Sequence, residues 1–114
     1  MVKLICFVKR NAALSIDEFH RHWREEHARL LTETPAARAR ILRYEQNHRL
    51  VRDYEREDDF DGVAIQWFAS ARDFFSMITD PDYQAAIGPD ERYLLDLDRT
   101  TWMLTDAEET VFAQ

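Results

Sequence analysis

Apolar side chains recur at steps of three or four from Leu14 to Leu31, LSIDEFHRHWREEHARLL. Ile16, Phe19, Trp23, His27 and Leu30 then share one face, so the spacing predicts an amphipathic helix. Its start is marked twice. Ser15 can cap the free N–H groups of the first turn with Glu18 three residues on, and Leu14 can staple onto Phe19. One slot on that apolar face holds a histidine, His27, and the functional reading turns on it.

The remaining pattern supplies the other elements. Val2 to Val8 is rich in β-branched and aromatic residues and apolar on both faces, which predicts a central strand. Pro35 marks the end of the first helix or a turn after it, and Ala36 to Arg40 is compatible with one more helical turn. Ile41 to Val51 alternates: Leu42, Tyr44, Gln46, His48 and Leu50 on one face, Arg43, Glu45, Asn47 and Arg49 on the other. That is the signature of a half-buried strand. Arg52 to Asp59 is dense in charge and lacks periodicity, so it reads as a mobile loop. Phe60 to Phe68 is a further strand. Ser70 to Ile78 places Ala71, Phe74, Phe75 and Ile78 at helical spacing, and Asp80-Pro81 stops that helix. Short helices are predicted over Asp82–Ile87 and Pro89–Asp96, broken at Gly88. Thr100 to Leu104 is the last strand, and Thr110 to Phe112 is an apolar tail suited to a sheet edge or a partner subunit.

This order is β-α-β-β-α-β, the ferredoxin-like α+β pattern, with a four-stranded antiparallel sheet and the helices on one face. The strands carry apolar residues on both sides, so the free face needs cover. A second copy of the same sheet is the simplest cover, which predicts a symmetric homodimer.

Composition narrows the picture. The 114 residues suit one domain, residues 1–114, with 46% apolar content. A net charge of −7 argues against nucleic acid or an anionic membrane as partner. Cys6 is the one cysteine, so no internal disulfide forms and a reducing, cytoplasmic location is expected. The apolar run in MVKLICFVKRN is too short for a signal segment or a spanning helix. Two glycines, Gly62 and Gly88, leave no phosphate-cradling loop or dinucleotide fingerprint. His20 and His22 point to different sides of their helix, and the acidic group Glu55, Glu57, Asp58, Asp59 and Asp61 lacks the spacing of a calcium loop. It reads as a solvated loop, and no metal is expected.

Phe19, Trp23 and His27 in the order F-x-x-x-W-x-x-x-H, then Arg43-Tyr44, Asp61-Gly62 with Trp67-Phe68, and Asp90-Glu91 together resemble the EthD family over roughly residues 2 to 105. The resemblance implies a dimeric α+β barrel related to small polyketide cyclases, muconolactone isomerases and cofactor-free monooxygenases, without one settled activity. Related barrels also bind haem, which would use His27 or His48 as axial ligand. Family members often carry a proline soon after the helix histidine, where this chain has Ala28-Arg29.

His27 is the leading candidate for general base or acid, because imidazole titrates near neutral pH and can take a proton from an acidic C–H or phenol. It is equally readable as a core histidine locked by a carbonyl or carboxylate. Tyr44 and His48, four apart on one strand face, are candidates to orient a substrate or relay a proton, or else to serve a dimer interface. Phe7, Trp23, Gln46, Trp67 and Phe75 are candidate substrate-binding residues, although aromatic stripes are ordinarily packing. Cys6 reads as a buried core thiol. The expectation is a small enzyme without cofactor. It would act on an aromatic or polyketide-like substrate by histidine-mediated proton transfer, as a cyclase, dehydratase, isomerase or decarboxylase. The alternatives are a non-catalytic dimer, either ligand-binding or an accessory assisting an oxidoreductase, and a cofactor-free monooxygenase.

Overall fold

Four strands, β1 (Val2–Val8), β2 (Arg43–His48), β3 (Gly62–Phe68) and β4 (Thr101–Asp106), form one sheet in the order β2-β3-β1-β4. Every neighbouring pair is antiparallel. The computed structural model describes residues 1–55 and 60–114, so residues 56–59 of the expected mobile loop lie outside the described residues. The described start of that loop is a 3₁₀ turn, Val51–Glu55. No helix among the described residues is long and apolar enough to cross a membrane.

The first helix begins where expected, with the Ser15 hydroxyl accepting the Glu18 N–H at 3.1 Å. It is built in three pieces: α1 (Ile16–His22), a π-helical turn over Trp23–His27, and α2 (Ala28–Glu33). A short α3 (Pro35–Arg38) follows, and after β3 come α4 (Ala71–Thr79), α5 (Pro81–Ala86) and α6 (Gly88–Leu94).

Register decides which residues meet the helices. Alternation places Leu4, Cys6 and Val8 of β1, Tyr44, Gln46 and His48 of β2, and Gly62, Ala64, Gln66 and Phe68 of β3 on the helix side. Two buried clusters form there. One joins Leu4 and Phe68 to Leu31, Phe74, Met77, Tyr83 and Ile87. The other joins Val8 and Ala64 to Phe19, Trp23, Leu94 and Leu95. The opposite sheet face carries Ile5, Phe7, Val63, Ile65, Trp67 and Met103. No helix covers it.

Gly62 is where the first helix meets the sheet most closely. A Cβ there would stand 2.6 Å from the Asn47 carbonyl oxygen and 2.6 Å from the Trp23 ring. Only glycine lets that indole lie down on the strand.

Candidate functional site

Phe19, Trp23, His27 and Leu31 are all buried, at steps of four. In a regular α-helix each such step drifts about 40° around the axis, so four in a row would leave the core. The π turn takes up one residue and corrects the drift, bonding the Ala28 N–H to the Trp23 carbonyl. This is why Leu31, rather than the expected Leu30, continues the buried stripe.

A cavity of about 230 Å³ lies at the seam of the two clusters. Its walls include Leu4, Phe74, Met77 and Leu94, and its polar lining includes His27, Tyr44, Gln66, Tyr83, Glu91 and the Cys6 thiol. It is larger than the roughly 150 Å³ that admits benzene and smaller than the ~300 Å³ lower end of drug-sized pockets. A compound of one or two rings matches it.

His27 is 7% exposed and its Nδ1 lies 2.8 Å from Asp90 Oδ2. Asp90, on α6, also holds His22 Nε2 at 2.6 Å through its other oxygen. A carboxylate only accepts, so His27 Nδ1 carries the hydrogen, and in the neutral ring Nε2 then keeps the lone pair. Burial pushes the Asp90 carboxyl up, but the bonds and charges of His27 and His22 outweigh it and hold the pKa below the ordinary carboxylate value. Asp90 therefore stays ionised and fixes the tautomer of a ring that lines the cavity.

Tyr44 is set as a donor. Its oxygen accepts from Gln46 Nε2 at 2.9 Å and from Trp23 Nε1 at 3.2 Å. Both lone pairs are occupied, so its own proton is left to give. Burial, against the pull of Gln46 and Trp23, pushes the phenol up to about 12, so it stays protonated near neutrality. Burial and the charge of Glu91 raise the Cys6 thiol to about 11, which leaves it a thiol and not a nucleophile. Burial also raises Glu91, against the opposing influence of His27 and Tyr83. Gln66 Oε1 is buried without a hydrogen-bond partner, directly across the ladder from Tyr44.

A second polar group lies beyond Trp23. Gln46 Nε2 also donates to the Trp23 carbonyl at 2.7 Å, which fixes the amide and aims its oxygen at His48 Nε2, 2.8 Å away. His48 Nδ1 meets His20 Nδ1 at 2.7 Å, His20 Nε2 meets the Tyr54 hydroxyl at 2.8 Å, and Tyr54 donates to Asp61 at 2.7 Å. Burial, Arg24 and His20 push His48 down to about 4, and burial lowers His20 despite the nearby Asp61. With both rings neutral, these four contacts share three protons. The Tyr54 hydroxyl therefore serves His20 or Asp61, one at a time. Asp61 itself is 1% exposed, accepts the Arg10 backbone N–H at 2.8 Å and pairs with Arg10 and Lys9. It is a buried anchor, which corrects its reading as part of a solvated loop.

The EthD domain profile matches residues 11–98. The chain belongs to the EthD family. Among solved structures it is similar to an ethyl tert-butyl ether (EthD) family protein from Bacillus halodurans, at 16% identity over 95% of this chain and 99% of that one, with TM-score 0.68. It is also similar to SnoaB, a cofactor-independent oxygenase from Streptomyces nogalater, at 15% identity, 96% and 95% coverage and TM-score 0.64. A third is a dimeric protein of ferredoxin-like fold and unknown function from Bacteroides fragilis, at 15% identity, 93% and 95% coverage and TM-score 0.67. At these identities the likeness is one of fold. No curated protein matches the chain.

Within this EthD fold the candidate residues part company. His27, Tyr44 and Trp23 meet at the cavity. Gln46 and His48 share the face of Tyr44, but their polar groups are spent on Trp23, Tyr44 and His20, outside the cavity lining. Phe7 and Trp67 fall on the opposite face by alternation, Phe7 against Phe60 at 5.5 Å and Trp67 between the cations of Lys3 and Arg43. Phe75 is 48% exposed on the outer side of α4. These three therefore do not line the cavity. Asp90, Glu91, Tyr83 and Gln66 were not singled out as site residues. Asp90-Glu91 stood in the motif, but its link to His27 spans 63 residues, which no local pattern reveals.

A metal or haem finds little here. Among the described residues no group of three or more His, Cys, Asp or Glu side chains is placed to hold a metal ion. Both His48 nitrogens are engaged, and a cavity of about 230 Å³ beside His27 does not fit a macrocycle.

Proposed function

We propose that this protein is a small enzyme, working without a cofactor, that moves a proton on a hydrophobic carbonyl or phenolic compound of one or two rings. His27 is the base. The observation that carries the reading is the Asp90–His27 pair at 2.8 Å, which commits Nδ1 and leaves Nε2 as the other nitrogen of a side chain that lines the cavity with Tyr44. The substrate's carbonyl oxygen accepts the Tyr44 proton, and His27 Nε2 takes the acidic hydrogen from the adjacent carbon. As negative charge grows on the oxygen, the Tyr44 bond strengthens, which is what lowers a barrier. Apolar walls strengthen these polar contacts by keeping water out.

Isomerisation, cyclisation and dehydration all begin with this step. Oxygenation without cofactor begins with it too, if the carbanion then meets oxygen, and the fold shared with SnoaB favours keeping that second reading. Oxygen uptake separates the two. We further propose a homodimer closed over the outer sheet face, where Ile5, Phe7, Val63, Ile65, Trp67 and Met103 form an apolar surface. The similar Bacteroides protein is described as dimeric.

The test is exchange of the α-hydrogens of a small aryl ketone for deuterium. The unsubstituted protein catalyses exchange, and His27→Asn lowers it by about 10²- to 10⁴-fold while ligand binding and melting temperature change little. Binding without any exchange in the unsubstituted protein would leave the non-catalytic carrier as the better account.

A further inference from the structure

Glu91 stands in the wall between the cavity and the outside. It lines the cavity with His27 and Tyr44. It also lines an open depression outside, together with Gln84, Gly88 and Arg92. Ile78, Tyr83 and Leu97 border both spaces, so these side chains and Glu91 form the partition. A carboxyl group in that position faces substrate on one side and exchanges protons with solvent on the other. His27, 7% exposed, reaches outward by a separate route, through Asp90 to His22, whose side chain is 20% exposed.

We propose that Glu91 is the acid that complements His27, and that the pair dehydrates a β-hydroxy carbonyl compound. This rests on the proton-transfer reading of His27 and Tyr44 and deepens it. His27 Nε2 removes the hydrogen from the carbon between carbonyl and carbinol, and Tyr44 holds the resulting enolate oxygen. The enolate then reforms the carbonyl as the carbon–carbon double bond forms and the carbon–oxygen bond at the β position breaks. The departing oxygen takes the Glu91 proton and leaves as water. The products are a conjugated enone, water, an imidazolium at His27 and a carboxylate at Glu91. Nothing is oxidised or reduced. The proton returns from His27 to Glu91, two groups near enough to feel each other's charge, or through solvent in the depression.

An acid is needed because expelling hydroxide into an apolar cavity would bury an unpaired charge. Burial, which raises Glu91 against the lowering effect of His27, Tyr83 and Arg92, favours the protonated form that an acid requires. The Tyr83 hydroxyl beside it can hold the acid in place.

The experiment uses the aldol adduct of benzaldehyde and acetone in heavy water, with two readouts. Deuterium at the α carbon is followed by NMR, and formation of benzalacetone by absorbance. The unsubstituted protein should do both, and His27→Asn should lose both. Glu91→Gln should keep α exchange and lose dehydration by about 10²- to 10⁴-fold. Glu91→Met should behave the same way and serves if the amide disturbs folding. Dehydration at full rate in both Glu91 variants overturns the proposal and leaves the His27 reading standing. Exchange without dehydration in the unsubstituted protein does the same. Neither reaction in the unsubstituted protein overturns both.

Discussion

Two histidine sites flank the Trp23 indole, and both draw on successive turns of the first helix and on β2. On one side His27, from the π turn, meets Tyr44, from β2, at the cavity. On the other, His20, from α1, meets His48, also from β2, with the His48 ring 4.4 Å from Trp23. The residue types are alike, and the hydrogen-bond accounts are opposite. The His20–His48 group runs from one acceptor, Gln46 Oε1, to another, Asp61, and has fewer protons than contacts, so it has no proton to spare. The His27–Tyr44 group ends with one lone pair and one proton left over. A histidine is free for chemistry where its partners leave it capacity facing a void, and residue type or burial alone does not say where that is.

This contrast predicts different failures on the two sides. The largest effect belongs to the buried carboxylates. Asp61→Ala removes one member of a buried pair and takes the acceptor from the Arg10 backbone N–H and the Tyr54 hydroxyl, so a loss of about 3 kcal/mol or more is expected in chemical denaturation, with turnover per folded molecule unchanged. Asp90→Asn should do the reverse, holding stability while slowing proton transfer, because the amide no longer dictates the His27 tautomer. Tyr44→Phe comes next. It removes one donor to the growing oxyanion, and a drop of about 10²-fold in kcat is expected with the cavity still able to bind ligand.

Gly62→Ala strikes the boundary between the two sides. The added methyl would meet the Asn47 backbone and the Trp23 ring at 2.6 Å, so overpacking of about 1–3 kcal/mol is expected in the melting curve. The smallest effect is pH-dependent. His48 is held near 4 in the folded protein against an ordinary value of 6.5. Between those values the unfolded chain holds a proton there that the folded chain does not, so stability falls as pH drops from 6.5 towards 4. His48→Asn should flatten that part of the curve of melting temperature against pH.

Much of the fold was legible because periodicity is local. The alternation along Ile41 to Val51 placed Tyr44, Gln46 and His48 on the inner face, and that is where β2 carries them. The stepping of the first helix placed Trp23 and His27 inward. It missed the π turn, since an added residue in one turn leaves no mark in a pattern read at fixed pitch, and so Leu30 stood in for Leu31. The site was legible by half. His27 and Tyr44 carry chemistry-bearing groups on apolar faces, which sequence can flag. Phe7 and Trp67 sit on strands apolar on both faces, where composition cannot say which face meets the helices. Asp90 and Glu91 look like ordinary first-turn acids of a short helix until α6 is packed beside the π turn.

The most direct test of the contrast is nitrogen NMR of the four histidines while a small aryl ketone is titrated in. The account predicts that His27 carries its hydrogen on Nδ1 and that its Nε2 signal moves as the ketone binds, with His20 and His48 unmoved. A ligand that shifts His20 and His48 while His27 stays still would contradict it.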